Sequence, residues 1–166
     1  MANIFISYIH EKEKVASALR TFVREKLKNQ IDFRDVFVAL DHWTVYAGED
    51  WFNRIKQELT SARVVLLLLS RESVVRPWVN FEAGAAWLAE KTIIPICFGE
   101  LRKDAMPKPY SALQGLSLDD SDGPYYLVTS ILHHLQPNSL APPPFPPGDA
   151  DVAKLLSAVK SLTALS

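Results

Sequence analysis

Val64-Val65-Leu66-Leu67-Leu68-Leu69, then Trp78-Val79-Asn80-Phe81-Glu82-Ala83-Gly84-Ala85-Ala86-Trp87, then Ile93-Ile94-Pro95-Ile96-Cys97-Phe98 follow one another between residues 64 and 98. The outer two runs are apolar at nearly every position and too short for a packed helix. A strand with one wet face alternates apolar and polar residues, whereas one covered on both faces does not. The middle run follows Pro77, which suits a first helical position, and Phe81, Ala85 and Leu88 recur there as a helix face. Strand, helix, strand is the unit of a parallel sheet.

The same alternation extends outward. Upstream stand Ile4-Phe5-Ile6, then Val15, Leu19, Phe22, Val23 and Leu27 at helical spacing, then Val36 to Leu40, then Trp51, Phe52, Ile55 and Leu59 as another helix face. Downstream, Leu113 to Leu118 offers a short edge strand and Tyr125 to Leu135 a last helix. The predicted fold is α/β and flavodoxin-like, three layers deep. A central parallel sheet of about five strands carries helices on both faces, with strand one at the centre.

At 166 residues the chain has room for one ordinary domain and an appendage. The domain is expected to end near residue 136, because Pro137 and Pro142-Pro143-Pro144-Phe145-Pro146-Pro147 suit a stiff spacer over 137–150. Beyond it, residues 151–166 carry Val152, Leu155, Leu156, Val159 and Leu162 as one apolar helix face. Three coverings for that face are open: the domain itself, a second copy, or a further domain.

Charge and cysteine content exclude several classes. Eighteen Lys and Arg against nineteen Asp and Glu leave a net charge of -1, without the basic excess that tracks nucleic-acid phosphates. The one cysteine, Cys97, has no intramolecular partner and reads as a reduced core thiol. The start, Ile4 to Ile9 running into His10-Glu11-Lys12-Glu13-Lys14, has neither the length nor the basic flank of a secretory leader. The longest apolar run is far short of the roughly 20 residues of a membrane span. These features predict a cytoplasmic protein without a direct membrane or nucleic-acid partner.

Ligands of doubly wound sheets bind beyond the carboxyl ends of the strands. Those positions here hold Ser7-Tyr8-Ile9-His10, Asp41-His42-Trp43-Thr44, Ser70-Arg71-Glu72-Ser73 and Gly99-Glu100. Trp43 and Tyr46 are aromatics in a polar loop, a costly exposure unless they cover a ligand or partner. Within the helix after strand three, Trp78, Glu82, Ala85 and Ala89 share one side at 100° per residue. A carboxylate therefore lies on an apolar half, one turn from an indole, with no basic residue within a turn. Burying it unpaired costs several kcal/mol, so it either serves chemistry or caps a neighbouring loop through hydrogen bonds.

Other machinery is missing from the sequence. No G-x-G-x-x-G follows strand one and no G-K-[ST] occurs, so neither a resident dinucleotide cofactor nor P-loop chemistry is indicated. Phosphorelay receivers carry an aspartate at the end of strand three, where this chain has Ser70. His10, His42, His133 and His134 do not make metal-ligand spacing with Cys97, and no metal is predicted.

Phe5-Ile6-Ser7-Tyr8 in the first strand, the loop at Gly48-Glu49-Asp50-Trp51, and Ser73 with Trp78-x-x-x-Glu82 together resemble a TIR (Toll/interleukin receptor) domain over residues 1–136. The element around Asn80-Phe81-Glu82-Ala83-Gly84-Ala85 is similar to the bacterial, NAD-cleaving branch. The resemblance implies that Glu82 is the catalytic carboxylate for cleaving the nicotinamide–ribose bond of NAD+, as a substrate and without a cofactor. It implies that Phe5, Ser7, Tyr8 and Ile9 line the nicotinamide end, that His10 and Ser73 also belong to the substrate-binding site, and that Trp78 supports Glu82. Asp41, Trp43 and Tyr46 would belong to a loop that gates the pocket and touches other subunits. Tyr46-Ala47-Gly48 departs there from relatives that carry proline before the glycine. The resemblance further implies self-association through TIR–TIR contacts and a defence or signalling role, with a sensor, activator or fused domain as a further partner. Two other functions stay open: a non-enzymatic interaction module, and a related glycosyl transfer using the same glutamate.

Overall fold

The computed structural model describes residues 3–30, 32, 36–38 and 51–163, with side chains at 37, 38, 51, 52, 162 and 163 outside the description. The expectations for 39–50, including Asp41, Trp43 and Tyr46, lie outside the described residues. Strands β1 (Ile4–Ser7), β2 (Val36–Val38), β3 (Val64–Leu69), β4 (Thr92–Cys97) and β5 (Leu116–Ser117) alternate with helices. These are α1 (Glu13–Leu27), α2 (Trp51–Ser61), α3 (Pro77–Leu88), α4 (Gly123–Leu135) and α5 (Ala150–Thr163). The sheet has the order β2-β1-β3-β4-β5, all parallel, with Ile4 opposite both Val36 and Val64, and Val64 opposite Thr92. This is the flavodoxin-like order, but β3 is the middle strand and β1 its neighbour.

Side chains alternate across the pleat, so consecutive apolar residues feed two separate cores. Ile4, Ile6, Leu66, Leu68, Ile94 and Ile96 face the layer of α1, α4 and α5. Phe5, Val65, Leu67, Leu69 and Cys97 face α2 and α3, where Ile55, Leu59, Val79 and Ala86 meet them. Pro95 lacks a ladder N–H and stands in the part of β4 that β5 does not pair, since β5 joins only Ile96 and Cys97. α4 starts at Gly123 so close to β5 that a Cβ there would stand 2.3 Å from the Ser117 carbonyl oxygen.

One helix is turned differently from the sequence expectation. Phe81 and Leu88 are 50% and 77% exposed, while Val79, Glu82 and Ala86 face inward. α3 has apolar residues all round, so periodicity cannot choose its inner face. Partners decide it: Glu82 turns in because Ser7 and Trp78 offer it hydrogen bonds.

The apolar face of α5 is covered by this chain. Leu155 and Val159 are buried against the α1 layer, and Phe145, from the proline-rich stretch, packs edge-on to Phe22 and Tyr125. The Tyr125 hydroxyl also donates to the Pro142 carbonyl at 2.8 Å. Asp149 caps α5 by accepting from the backbone N–H groups of Asp151 and Val152 at 3.0 and 3.1 Å. Lys26 of α1 reaches the same carboxylate at 2.6 Å and Asp151 at 3.0 Å. The Lys26 hydrogen bond, then those from the backbone, hold the Asp149 carboxyl below its ordinary value.

Asp149→Ala is expected to lower the unfolding free energy by about 1 kcal/mol through the lost cap alone, as read by urea denaturation. Because the folded pKa is depressed, the Asp149 contribution is complete above the unfolded carboxylate value near ~4 and is lost as pH falls through the folded value. Urea midpoints of Asp149→Asn are expected to lack that part of the acid dependence.

Candidate active site

The chain runs from β1 out to β2 and returns across β1 to β3, so the order of strands reverses between β1 and β3. Crossovers leave a crevice beyond the carboxyl ends of the strands at such a point. Ser7 is the last residue of β1, and the segment Ser70–Arg76 leads from β3 into α3 beside it.

Hydrogen bonds set that segment. The Ser73 hydroxyl accepts from the Ser70 N–H at 2.7 Å and donates back to the Leu68 carbonyl at 3.1 Å, closing a buried turn. Ser70 donates to Glu72 at 2.6 Å; this hydrogen bond above all holds the Glu72 carboxyl below its usual range. Glu72 pairs with Lys12 at 3.5 Å, and Arg76 pairs with Glu11, tying the entry of α3 to the segment after β1. Arg76 is extended and Pro77 opens the helix, where a missing N–H costs nothing.

α3 then carries Glu82 inward. Its side chain has no solvent exposure. Trp78, one turn earlier, donates its indole N–H to Oε1 at 2.8 Å, and the Ser7 hydroxyl donates to Oε2. Two carboxylate oxygens are thus held by donors from two different elements, which fixes the plane of the group. Hydrogen bonds to an anion favour its charged form and offset part of the desolvation cost. Phe81 stacks on Trp78 at 5.3 Å between centroids, covering the indole from outside. A cavity of about 450 Å³ between α2 and α3 has Glu82 at its border, with Ile55, Leu59, Phe81 and Ala85 as apolar walls and Lys56 beside them.

The expected site residues divide by position. Phe5 and Ile9 are buried on the same side of the sheet as Val79 of α3, in the layer that Trp78 also joins. Tyr8 is buried in the opposite layer, with α1, and His10 is exposed at the start of a 3-10 turn. Ser73 uses its hydroxyl to shape the turn before α3. The bond from Ser7 to Glu82 joins residues 75 apart, and no local spacing signals it. Phe81 over Trp78 has a signal in the sequence, aromatic residues at i and i+3, although helical spacing with Ala85 and Leu88 points Phe81 to the core.

Cys97 lies under α3 with its thiol pushed up to about 11 by burial, which leaves it protonated and inert near neutral pH. Among the described residues, no group of three His, Cys, Asp or Glu side chains could hold a metal ion. No helix among them is long and apolar enough to cross a membrane.

Comparisons with known proteins bear on this geometry. None of the curated proteins matches the chain. Among solved structures, a metazoan TIR-STING receptor from C. gigas, in complex with 2',3'-cGAMP, matches with a TM-score of 0.55 at 20% identity. The match covers 79% of this chain and 39% of that one, so the chain spans well under half the receptor's length and the likeness is one of fold. The family model for the TIR domain matches residues 4–126, which takes in all five strands, α1 to α3 and Glu82. The chain belongs to the TIR domain family.

Proposed function

We propose that the chain is an NAD+ glycohydrolase or cyclase in which Glu82 is the catalytic carboxylate, acting as a signalling or defence effector when self-associated. The observation that carries this reading is the carboxyl group itself: buried on the inner face of α3, with one oxygen accepting from Ser7 at the end of β1 and the other from Trp78. Membership of the TIR family supports it, because that fold hosts NAD-cleaving enzymes.

The chemistry asks little of the protein. In NAD+ the bond from the ribose C1′ to the pyridinium nitrogen breaks with its electron pair going to nitrogen, so nicotinamide leaves neutral and needs no acid. Glycosidases with poor leaving groups need a second carboxyl group for that purpose. What remains is positive charge spread over C1′ and the ring oxygen, which a fixed carboxylate stabilises, while also accepting from a ribose hydroxyl. Water adding to C1′ gives ADP-ribose; a ring nitrogen of the adenine adding there gives a cyclic product. The attacking water loses its proton to solvent or to the carboxylate; the adenine ring nitrogen has none to lose, so the positive charge passes to the adenine, whose amino group can release a proton to solvent.

The zero exposure of Glu82 favours a second reading, in which the carboxylate is a structural anchor and the chain an interaction module without catalysis. Nicotinamide release separates the two. Glu82→Gln preserves size and removes charge; it is expected to lower the rate at least about 100-fold, and Glu82→Ala likewise, with the far-ultraviolet spectrum unchanged. A Gln variant as active as the native chain, or a native chain inert even when clustered on a support, returns the anchor reading. Ser7→Ala and Trp78→Phe each remove one donor and are expected to cost about tenfold in kcat with KM little changed. Activity per mole is expected to rise with protein concentration; strict proportionality down to dilute protein would refute activation by self-association.

A further inference from the structure

A helix that is apolar all round has no hydrophobic stripe to fix its rotation about its own axis, so in α3 that rotation depends on polar contacts. Val79, Glu82 and Ala86 form the inner face. At about 100° per residue Trp78 and Asn80 stand on opposite flanks of it, with Val79 midway between them. Ser7 and Trp78, through Glu82, hold the first flank. Contacts on one flank alone leave a roll of the helix opposed only by packing.

Asn80 holds the second flank. Its amide donates to the Arg76 carbonyl at 3.1 Å and to the Val74 carbonyl at 3.3 Å, and its carbonyl oxygen accepts from the Tyr110 hydroxyl. Both amide hydrogens are therefore used on the turn that leads into α3, and the oxygen is left for a partner from elsewhere. That partner is rigid. Tyr110 opens a 3-10 turn (Tyr110–Ala112) in the connection from β4 to β5 and is buried in the same layer as Phe5, Val79 and Cys97, with Leu101 and Met106 of that connection. Burial pushes the Tyr110 hydroxyl above its usual range, so it keeps its proton and donates.

We propose that Tyr110 and Asn80 are positioning residues for Glu82: by pinning the flank of α3 opposite Trp78 they fix the rotation of the helix, and with it the place of the carboxyl group between its two donors. Glu82 follows Asn80 by two residues, within one turn, so a roll at one is a roll at the other. A roll of about 10° carries a group roughly 6 Å from the helix axis through about 1 Å, enough to break a hydrogen bond. The consequence for nicotinamide release rests on the proposed function; the placement of Glu82 does not.

Tyr110→Phe removes the hydroxyl and keeps the ring in the core. Its control is Tyr125→Phe, which removes the donor to the Pro142 carbonyl on α4, in the opposite layer. Deuterium exchange of the Trp78 indole N–H, followed by NMR and assigned by its loss in Trp78→Phe, is expected to be at least about tenfold faster in Tyr110→Phe than in the native chain, and within about threefold of native in Tyr125→Phe. A pair that only adds stability would not separate these two variants. Asn80→Ala is expected to speed exchange at least as much as Tyr110→Phe, and adding Tyr110→Phe to it to change nothing further, because the two side chains act through one hydrogen bond. The kcat for nicotinamide release is expected to fall about tenfold in Tyr110→Phe with KM little changed, and to be kept in Tyr125→Phe. Native-like indole exchange in Tyr110→Phe, equal acceleration in Tyr125→Phe, full additivity of the Asn80 and Tyr110 variants, or an unchanged kcat in an active chain overturns the proposal. If exchange responds as expected and the native chain releases no nicotinamide, the positioning stands and the enzyme reading falls.

Discussion

Every residue of β3 from Val64 to Leu69 is without solvent exposure, and the molecule is arranged to keep it so. A parallel strand with apolar side chains on both faces needs a covering layer on each, and its backbone groups need a paired strand on each edge. β1 and β4 supply the edges; α2 and α3 cover one face, and α1 and α4 the other, with α5 packed on α1. Each fully buried leucine contributes about 1.5–3 kcal/mol relative to exposure, so the four from Leu66 to Leu69 make this strand the axis of both cores. The crossover from β2 to β3, which creates the crevice at the ends of β1 and β3, exists because β3 pairs with β1 rather than with β2.

The same constraint places a carboxyl group in the interior. Glu82 rides on a helix whose inner face must cover β3, so the carboxylate enters the apolar layer along with Val79 and Ala86. An unpartnered carboxylate there would be too costly to keep ionised. Ser7, at the end of β1, and Trp78, one turn back, supply donors to both oxygens, and the turn built on Ser70 and Ser73 sets the helix at the height where they meet. The precision of the site thus comes from sheet and helix, with side-chain freedom already removed by packing.

The two sides of α3 differ. Its inner face holds the acid, and on its outer face Trp87 and Leu88 are exposed. Phe81 and Trp78 connect the two sides through a stacked pair.

The strands and helices were legible in the sequence, because apolar runs of strand length and helical spacing in α1 report burial directly; Val15, Leu19, Phe22, Val23 and Leu27 are all in the core. Glu82 and Trp78 were legible as a pair, being one turn apart. The inner face of α3 was not, since a helix apolar all round carries no phase, and Phe81 and Leu88 point outward in consequence. Tyr8 and His10 follow β1 in sequence, yet the pleat and the 3-10 turn send them to the other layer and to solvent. Of three possible coverings for the last helix, the chain uses its own body, through Phe145, Lys26 and Asp149. Sequence by itself determined the buried strand runs and the inner face of α1, because their apolar periods have one reading. Only the tertiary structure decided which donors meet Glu82 and what covers α5, because those contacts join residues 75 and 123 positions apart, over which no local pattern acts.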